Sequence, residues 1–270
     1  MPEYQDLLLR VVRVGYLGLT VGAFLFFCIW EGGAARIGFP SRGRHIARNV
    51  AMFVLVVLFA DIMVGGYLLR LPERLTAAPH GLLSPLDWPL PLLIVIGLLA
   101  ADLACYLYHR LSHRVRWLWL LHSVHHTDPH LDASTALRFH PMDMAFYVAV
   151  ITGTLLALGI PLWAAGVRAL VLNPQFMMQH ANVRFPLWVE RGPAWLFVTP
   201  AIHRIHHSAD RPGIDANFGQ MFSFWDRLFG TYRAPAGDAP PRIGVTGHDD
   251  DSWQSVSGML ATPWRGRRSL

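Results

Sequence analysis

Long apolar stretches alternate with short polar ones along the first 110 positions. The runs Val14–Trp30, Val50–Leu69 and Pro89–Tyr108 each approach the ~20 residues that a helix needs to cross a hydrocarbon core. Each predicts a spanning helix. Arg10 and Arg13 precede the first run, as in a secretory signal. That run is long for a signal core and no small-residue cleavage site closes it, so it reads as an anchor. A fourth apolar region, Met144–Val171, is interrupted by Gly159-Ile160-Pro161. Proline after glycine breaks a helix, which predicts two short helices in a hairpin that returns the chain to the side it left. Beyond Tyr232 the sequence is rich in Pro, Gly and Asp and reads as irregular. No linker divides the chain. It reads as one domain, with spans in 1–108, a histidine-rich region with the hairpin in 109–232, and an irregular tail in 233–270.

Composition strengthens the membrane reading. Hydrophobic residues make up 53% and charged residues 15%, against roughly 25% charged in soluble chains. Disordered, collagenous, coiled-coil and disulfide-scaffold classes are excluded. Cys28 and Cys105 both lie in apolar runs and read as packing residues. The net charge of +5 comes from arginine alone, since lysine is absent. These arginines are scattered around apolar segments instead of gathered on a polar face, which argues against nucleic acid as a partner. Read as orientation signals, Arg36, Arg42, Arg44 and Arg48 follow the first run, and Arg110, Arg114 and Arg116 follow the third. Between the second and third runs, Arg70 and Arg74 are partly offset by Glu73 and Asp87. The first and third of these regions are then cytoplasmic, and so is the start of everything from His109 onward. The expected fold is an all-α integral membrane bundle, of about four spans or three plus a hairpin, with a cytoplasmic histidine-rich cap.

Eight of the 14 histidines fall in three blocks: His109-Arg-Leu-Ser-His113, His122-Ser-Val-His125-His126 and His203-Arg-Ile-His206-His207. Residues three and four apart share a helical face, so each block presents clustered imidazoles. His180 stands alone in Met177-Met-Gln-His180-Ala-Asn182. A single interfacial histidine is usually a packed residue. Eight together would leave many polar nitrogens needing partners and would repel one another once protonated. Metal binding removes both problems, and neutral imidazole suits zinc, copper, iron and nickel. Eight or nine such ligands require two metals at ordinary coordination numbers.

The blocks HxxxH, HxxHH and HxxHH resemble those of the fatty acid hydroxylase/sterol desaturase superfamily of membrane di-iron oxidoreductases. Asp128-Pro-His-Leu-Asp132-Ala-Ser-Thr-Ala-Leu-Arg138-Phe-His140-Pro141 is similar to the segment after the second block, and Gln179-His180-Ala-Asn182 to the isolated-histidine motif. Asp215-Ala-Asn217-Phe-Gly219 and Phe224-Trp-Asp226-Arg-Leu-Phe-Gly230-Thr231 resemble the closing signature. Phe218 departs from it, since the family more often has tyrosine there. The resemblance implies that His109, His113, His122, His125, His126, His203, His206 and His207 are metal ligands, with His180 a ninth. His140 is either a ligand or a residue behind the ligands. His45, His80, His130 and His248 lie off the pattern and read as surface or interfacial residues.

Asp102, His140 and Asn217 are the candidates for catalytic roles. Asp102 precedes His109 by seven residues and shares its helical face. An intramembrane carboxylate is costly and implies a partner, either a ligand histidine donating its outer N–H or an arginine. Asp61 in the second run is a similar but weaker case. Asp128, Asp132, Asp215 and Asp226 could serve as histidine acceptors or helix caps, and Arg138 could neutralise one of them.

The resemblance implies two iron ions, with O2 as co-substrate, hydroxylating or desaturating a fatty acyl, sterol or related lipid. Zinc has no redox chemistry, although it can occupy such a site in a purified sample. No nicotinamide fingerprint or haem-attachment motif is visible. Two electrons must therefore come from an external donor of ferredoxin or cytochrome b5 type with its reductase. Arg110, Arg114, Arg116 and Arg204 could dock it, or could meet lipid phosphates. The competing classes are a membrane zinc hydrolase, which needs a general base and no reductant, and a metal transporter, which would spread its histidines across the bilayer.

Overall fold

The computed structural model describes residues 2–63, 81–83, 88–161, 163–235 and 241–266. Among them every regular element is helical, with two isolated antiparallel bridges, Phe197 to Phe222 and Ser208 to Ile243. The long helices are α1 (Pro2–Ala34), α2 (Arg42–Met63), α3 (Leu90–Ser112), α4 (Arg116–His126), α5 (Pro141–Leu158) and α6 (Trp163–His180). They are followed by the short α7 (Pro200–His206), α8 (Phe224–Leu228) and α9 (Val256–Arg265).

Among the described residues four segments are long and apolar enough to cross a membrane: Val14–Ala34, Arg42–Ala60, Pro91–Ser112 and Pro141–Leu158. At most 28% of any of them is buried inside the protein. Val14, Ile29, Leu58 and Val95 point outward, an arrangement that water would penalise and lipid accommodates. Helix α2 begins at Arg42, earlier than the apolar run that predicts it, and the end of that run lies outside the described residues. So do Arg70, Glu73, Arg74, His80 and Asp87, and nothing is described of the Asp61 side chain.

The break at 159–161 forms as its residues dictate. Gly159 takes φ +73° and caps α5, its N–H reaching the carbonyls of Leu155 and Leu156. A left-handed residue at a helix end favours glycine, and Pro161 follows. At the other end of α5, Pro141 occupies the first turn and His140 Nδ1 accepts from the Met142 amide. Helix α6 then returns toward the cap, and the hairpin is built of two 18-residue helices, longer than the two short ones expected. α5 is itself long enough to span.

One end of the bundle is tied together by Glu31, a buried carboxylate at the end of α1. It pairs with Arg42 of α2 at 2.7 Å and accepts from the backbone amides of Ala133 and Asn182. The C-terminal ends of α1, α3 and α6 and the N-terminal ends of α2 and α5 thus meet beneath one cap. The tail corrects an expectation: residues 251–254 and 256–265 are helical, not irregular. Ser255 caps α9 by accepting from Gly258 N, and Met259 is fully buried with Met52 and Val124. A ten-residue helix is marginal alone; packing against α2 and α4 supplies what local composition does not.

Candidate metal centre

The cap gathers all nine histidines singled out from the sequence into two adjacent groups. His109, His113, His122, His126 and His206 form one, and His125, His180, His203 and His207 the other, with donor nitrogens within 4.8 Å of one another in each. Helical geometry divides the blocks. In α4, His122 and His126 are one turn apart and face the five-histidine group, while His125 turns to the other. The third block is used in the opposite sense: His203 and His207 join the four-histidine group and His206 the five. All but His113 are buried residues, and the His113 ring itself is 1% exposed.

Outer hydrogen bonds fix which nitrogen five of the rings turn inward. Carbonyl and carboxylate oxygens only accept, so a ring nitrogen beside one carries the proton. His109 Nδ1 donates to Phe218 O at 2.8 Å, His206 Nδ1 to Ala216 O at 2.8 Å, and His122 Nδ1 to Asp143 at 2.9 Å. Their Nε2 atoms, buried, meet no hydrogen-bonding group of the protein. In the second group, His125 Nδ1 donates to Arg138 O at 3.2 Å and His180 Nδ1 to Phe176 O at 2.7 Å. Their Nε2 lone pairs then face each other at 3.2 Å. Burial above all, with neighbouring histidines, pushes His125, His126, His203 and His207 well below the usual imidazole range. These four rings are neutral lone-pair donors at pH 7.

Opposed lone pairs in a buried site repel unless a cation lies between them. His180 Nε2 is also 2.9 Å from His203 Nε2, which is 3.1 Å from His207 Nε2. Nitrogens bound about 2.0–2.1 Å from one ion at common coordination angles stand roughly 2.9–3.4 Å apart. The donor set fits a first-row metal in each group.

The closing segment holds two of the outer acceptors, Ala216 O and Phe218 O. Asn217 takes φ +57°. It donates through Nδ2 to Ile202 O and Arg233 O and accepts from Arg233 N. Asp226 accepts from the amides of Phe218 and Gly219 and from Thr231 Oγ1. A Cβ on Gly219 would lie 2.8 Å from Asp226 Oδ2 and 2.5 Å from Phe222 O, so the approach requires glycine. Asn217 thus shapes the turn that offers Ala216 O and Phe218 O to the histidines and touches no ring itself. Phe218 sets its ring edge-on to His109 and His113 at 5.6 and 5.1 Å. It packs against the ligand set as an apolar wall.

Asp102 does not meet a histidine. Its carboxylate pairs with Arg168 at 2.9 Å and accepts from Met221 N, Phe222 N and Trp225 Nε1. Of the two partners open at the sequence level, arginine is the one found. His140 caps α5 and joins neither group. Asp132 caps the turn 133–137, and Asp128 accepts from His45 and Thr135. Asp215 lies 3.8 Å from His113 Nδ1. Arg138, fully buried, reaches Val124 O and Thr127 Oγ1 in addition to offering its carbonyl to His125. Two histidines expected at the surface are drawn inward: His45 onto Asp128, and His248 into the tail packing beside Trp253. His130 is half-buried and stacks on Phe39.

Sequence reasoning missed Asp143 and Tyr108. The Tyr108 hydroxyl donates to Asp143 at 2.6 Å, and that carboxylate accepts from His122. The available signal was an acidic residue three positions after the His140-Pro141 helix start.

A model of the fatty acid hydroxylase family matches residues 94–231, the stretch holding all nine histidines and both racks of acceptors. The chain belongs to the fatty acid hydroxylase family. It is 34% identical over 198 residues to the ornithine lipid hydroxylase OlsE of Rhizobium tropici, covering 71% of this chain and 56% of that protein. The alkylglycerol monooxygenase of Homo sapiens is 33% identical over 158 residues, 55% of this chain and 32% of that protein. A cholesterol 25-hydroxylase-like protein of Danio rerio is 28% identical over 141 residues, 50% of this chain and 49% of that protein. The matched regions thus span about a third to a little over half of these relatives. No solved structure matches.

In this family member, Asp143→Asn removes the carboxylate charge behind His122 and leaves one acceptor oxygen for the two donors, His122 and Tyr108. Metal affinity at the five-histidine group is expected to fall roughly 10- to 100-fold, read by chelator competition on the purified protein. Unchanged affinity would show that Asp143 serves Tyr108 alone.

Proposed function

We propose that this protein is a membrane-bound di-iron oxygenase that hydroxylates or desaturates an unactivated C–H position of a lipid, using O2 and two external electrons. The supporting observation is the pair of all-histidine groups at one end of four apolar spans. Hydroxylation balances as RH + O2 + 2 e− + 2 H+ → ROH + H2O. The two irons would be held by the five- and four-histidine groups and would supply the redox chemistry that activates O2, which zinc lacks. The hydroxylase and monooxygenase names of the relatives favour hydroxylation, and lipids with a polar headgroup are the substrate class to test first.

The chain's own residues do the rest. Carbonyls and Asp143 keep the inner nitrogens of His109, His122, His125, His180 and His206 free of protons. Phe139 and Phe176 lie nearly parallel to His125 at 4.5 and 6.2 Å. They offer the four-histidine group an apolar wall against which an alkyl segment can lie and from which water is excluded. A zinc hydrolase would need a carboxylate facing the inner nitrogens. Asp143, the carboxylate hydrogen-bonded to a histidine of either group, stands behind His122, on the outer side of its ring. A transporter would distribute its histidines through the bilayer, whereas these sit at one end.

The arginines Arg36, Arg42, Arg44 and Arg48 lie at the cap end of the bundle, which supports a cytoplasmic metal site. Arg204 is buried and donates to Ala181 O, so it is withdrawn from any docking surface. Arg114 and Arg116 are exposed and line a cavity of about 420 Å³ with Arg211, Trp119 and His113. The Trp119 ring is 4.9 Å from that of His113. Through His113 this cavity reaches the five-histidine group, and an acidic one-electron carrier of ferredoxin or cytochrome b5 type would dock here.

Membranes expressing the protein are expected to gain lipids heavier by one oxygen, or lighter by two hydrogens, only under air, and to take 18O from 18O2 when the product is hydroxylated. Product formed under strict anoxia would overturn the oxygenase reading. Arg114→Glu/Arg116→Glu is expected to slow turnover driven by an acidic ferredoxin and to blunt its salt dependence, with dithionite-driven turnover unchanged. Equal ferredoxin-driven rates in variant and wild type would remove this face as the entry point.

A further inference from the structure

We propose that Asp102, deep in the third span, is a positioning residue for the five-histidine group and not for the four-histidine group. This rests on the metal reading above and adds a division of labour to it. Asp102 and His109 are seven residues apart, about 10.5 Å along α3, and lie on nearly the same helical face. The segment 216–225 runs along that face. At one end Phe218 O receives the His109 Nδ1 proton. Two turns deeper, the amides of Met221 and Phe222 and the Trp225 indole donate to the Asp102 carboxylate.

The anchor is itself held from two further helices. Arg168 of α6 donates to Asp102, to the Tyr147 hydroxyl of α5, and to Gln220 Oε1 of the segment. Tyr147 donates to the same Gln220 oxygen at 2.7 Å. Asp102 and Arg168 are both buried. An ion pair kept among apolar spans at this cost is expected to hold something in place, and here that is the strand of backbone bearing Ala216 O and Phe218 O. Those carbonyls orient His206 and His109, both of the five-histidine group. The acceptors behind His125 and His180 are Arg138 O and Phe176 O, which lie outside the segment.

Asp102→Asn keeps the shape, removes the charge facing Arg168, and turns an amide N–H₂ toward the segment's own donors. Iron uptake by the purified full-length protein tests the inference. Wild type is expected to bind two ferrous ions per chain, one for each group. Asp102→Asn is expected to retain the ion of the four-histidine group and to bind the other roughly 10- to 100-fold more weakly. In a His125→Ala/His180→Ala background the substitution weakens the remaining uptake by the same factor; in a His109→Ala/His206→Ala background it changes nothing.

Two tightly bound ions in Asp102→Asn would overturn the inference alone. So would loss of both ions by a variant that elutes and melts as wild type does, since Asp102 would then support the whole cap. If Asp102→Asn aggregates, Trp225→Phe removes a single hydrogen bond to the carboxylate and is judged by the same two results. Wild-type protein that takes up no metal overturns the proposed function together with this inference.

Discussion

The cap is organised by the outer hydrogen bonds that five of its nine imidazoles make. A neutral ring has one N–H and one lone pair, and the group behind the ring decides which nitrogen faces inward. Main-chain carbonyls do this for His109, His125, His180 and His206, and Asp143 does it for His122. The outer bonds set the protons; the inward lone pairs are what the buried site must satisfy. Burial enforces neutrality, holding His206 down to about 3 and His180 to about 4. The metal site is thus built by the backbone as much as by the side chains that would touch the metal.

That requirement explains features that are otherwise unconnected. Three of the four carbonyls, those of Arg138, Ala216 and Phe218, come from irregular chain and Phe176 O from the end of α6, so the cap draws on short helices and turns while the bundle below is regular. Irregular backbone must then be held by side chains. Asp226 holds the amides of Phe218 and Gly219, Asn217 bridges Ile202 and Arg233, and Glu31 receives Ala133 and Asn182. These polar anchors are buried, and the long helices spend their apolar residues outward on lipid instead of inward on a core. The family's closing signature is, on this reading, a frame for two ring nitrogens.

Much of this was legible in the sequence, for identifiable reasons. The histidine blocks carry helical spacing, and the Gly159-Ile160-Pro161 break and the apolar runs are local signals that tertiary packing did not override. The division into five and four was not legible. It depends on how α4 and α7 are rotated against each other, which the spacing of either block leaves free. Asp102 could be read as a carboxylate in need of a partner, but Arg168 lies 66 residues away on another helix. Asp143 escaped because its partners, His122 and Tyr108, are 21 and 35 residues distant. His140 and Asn217 stood in motifs typical of active sites, and the contacts they make cap a helix and shape a turn. The tail misled by composition: a short helix owing its stability to Met52 and Val124 leaves little mark in its own residues.

Anomalous diffraction at the iron edge, from crystals of protein grown and purified with iron, addresses the centre most directly. Two iron peaks are expected, one among His109, His113, His122, His126 and His206 and one among His125, His180, His203 and His207. A single peak, or density lying outside both groups, would contradict the assignment of two irons to the nine histidines.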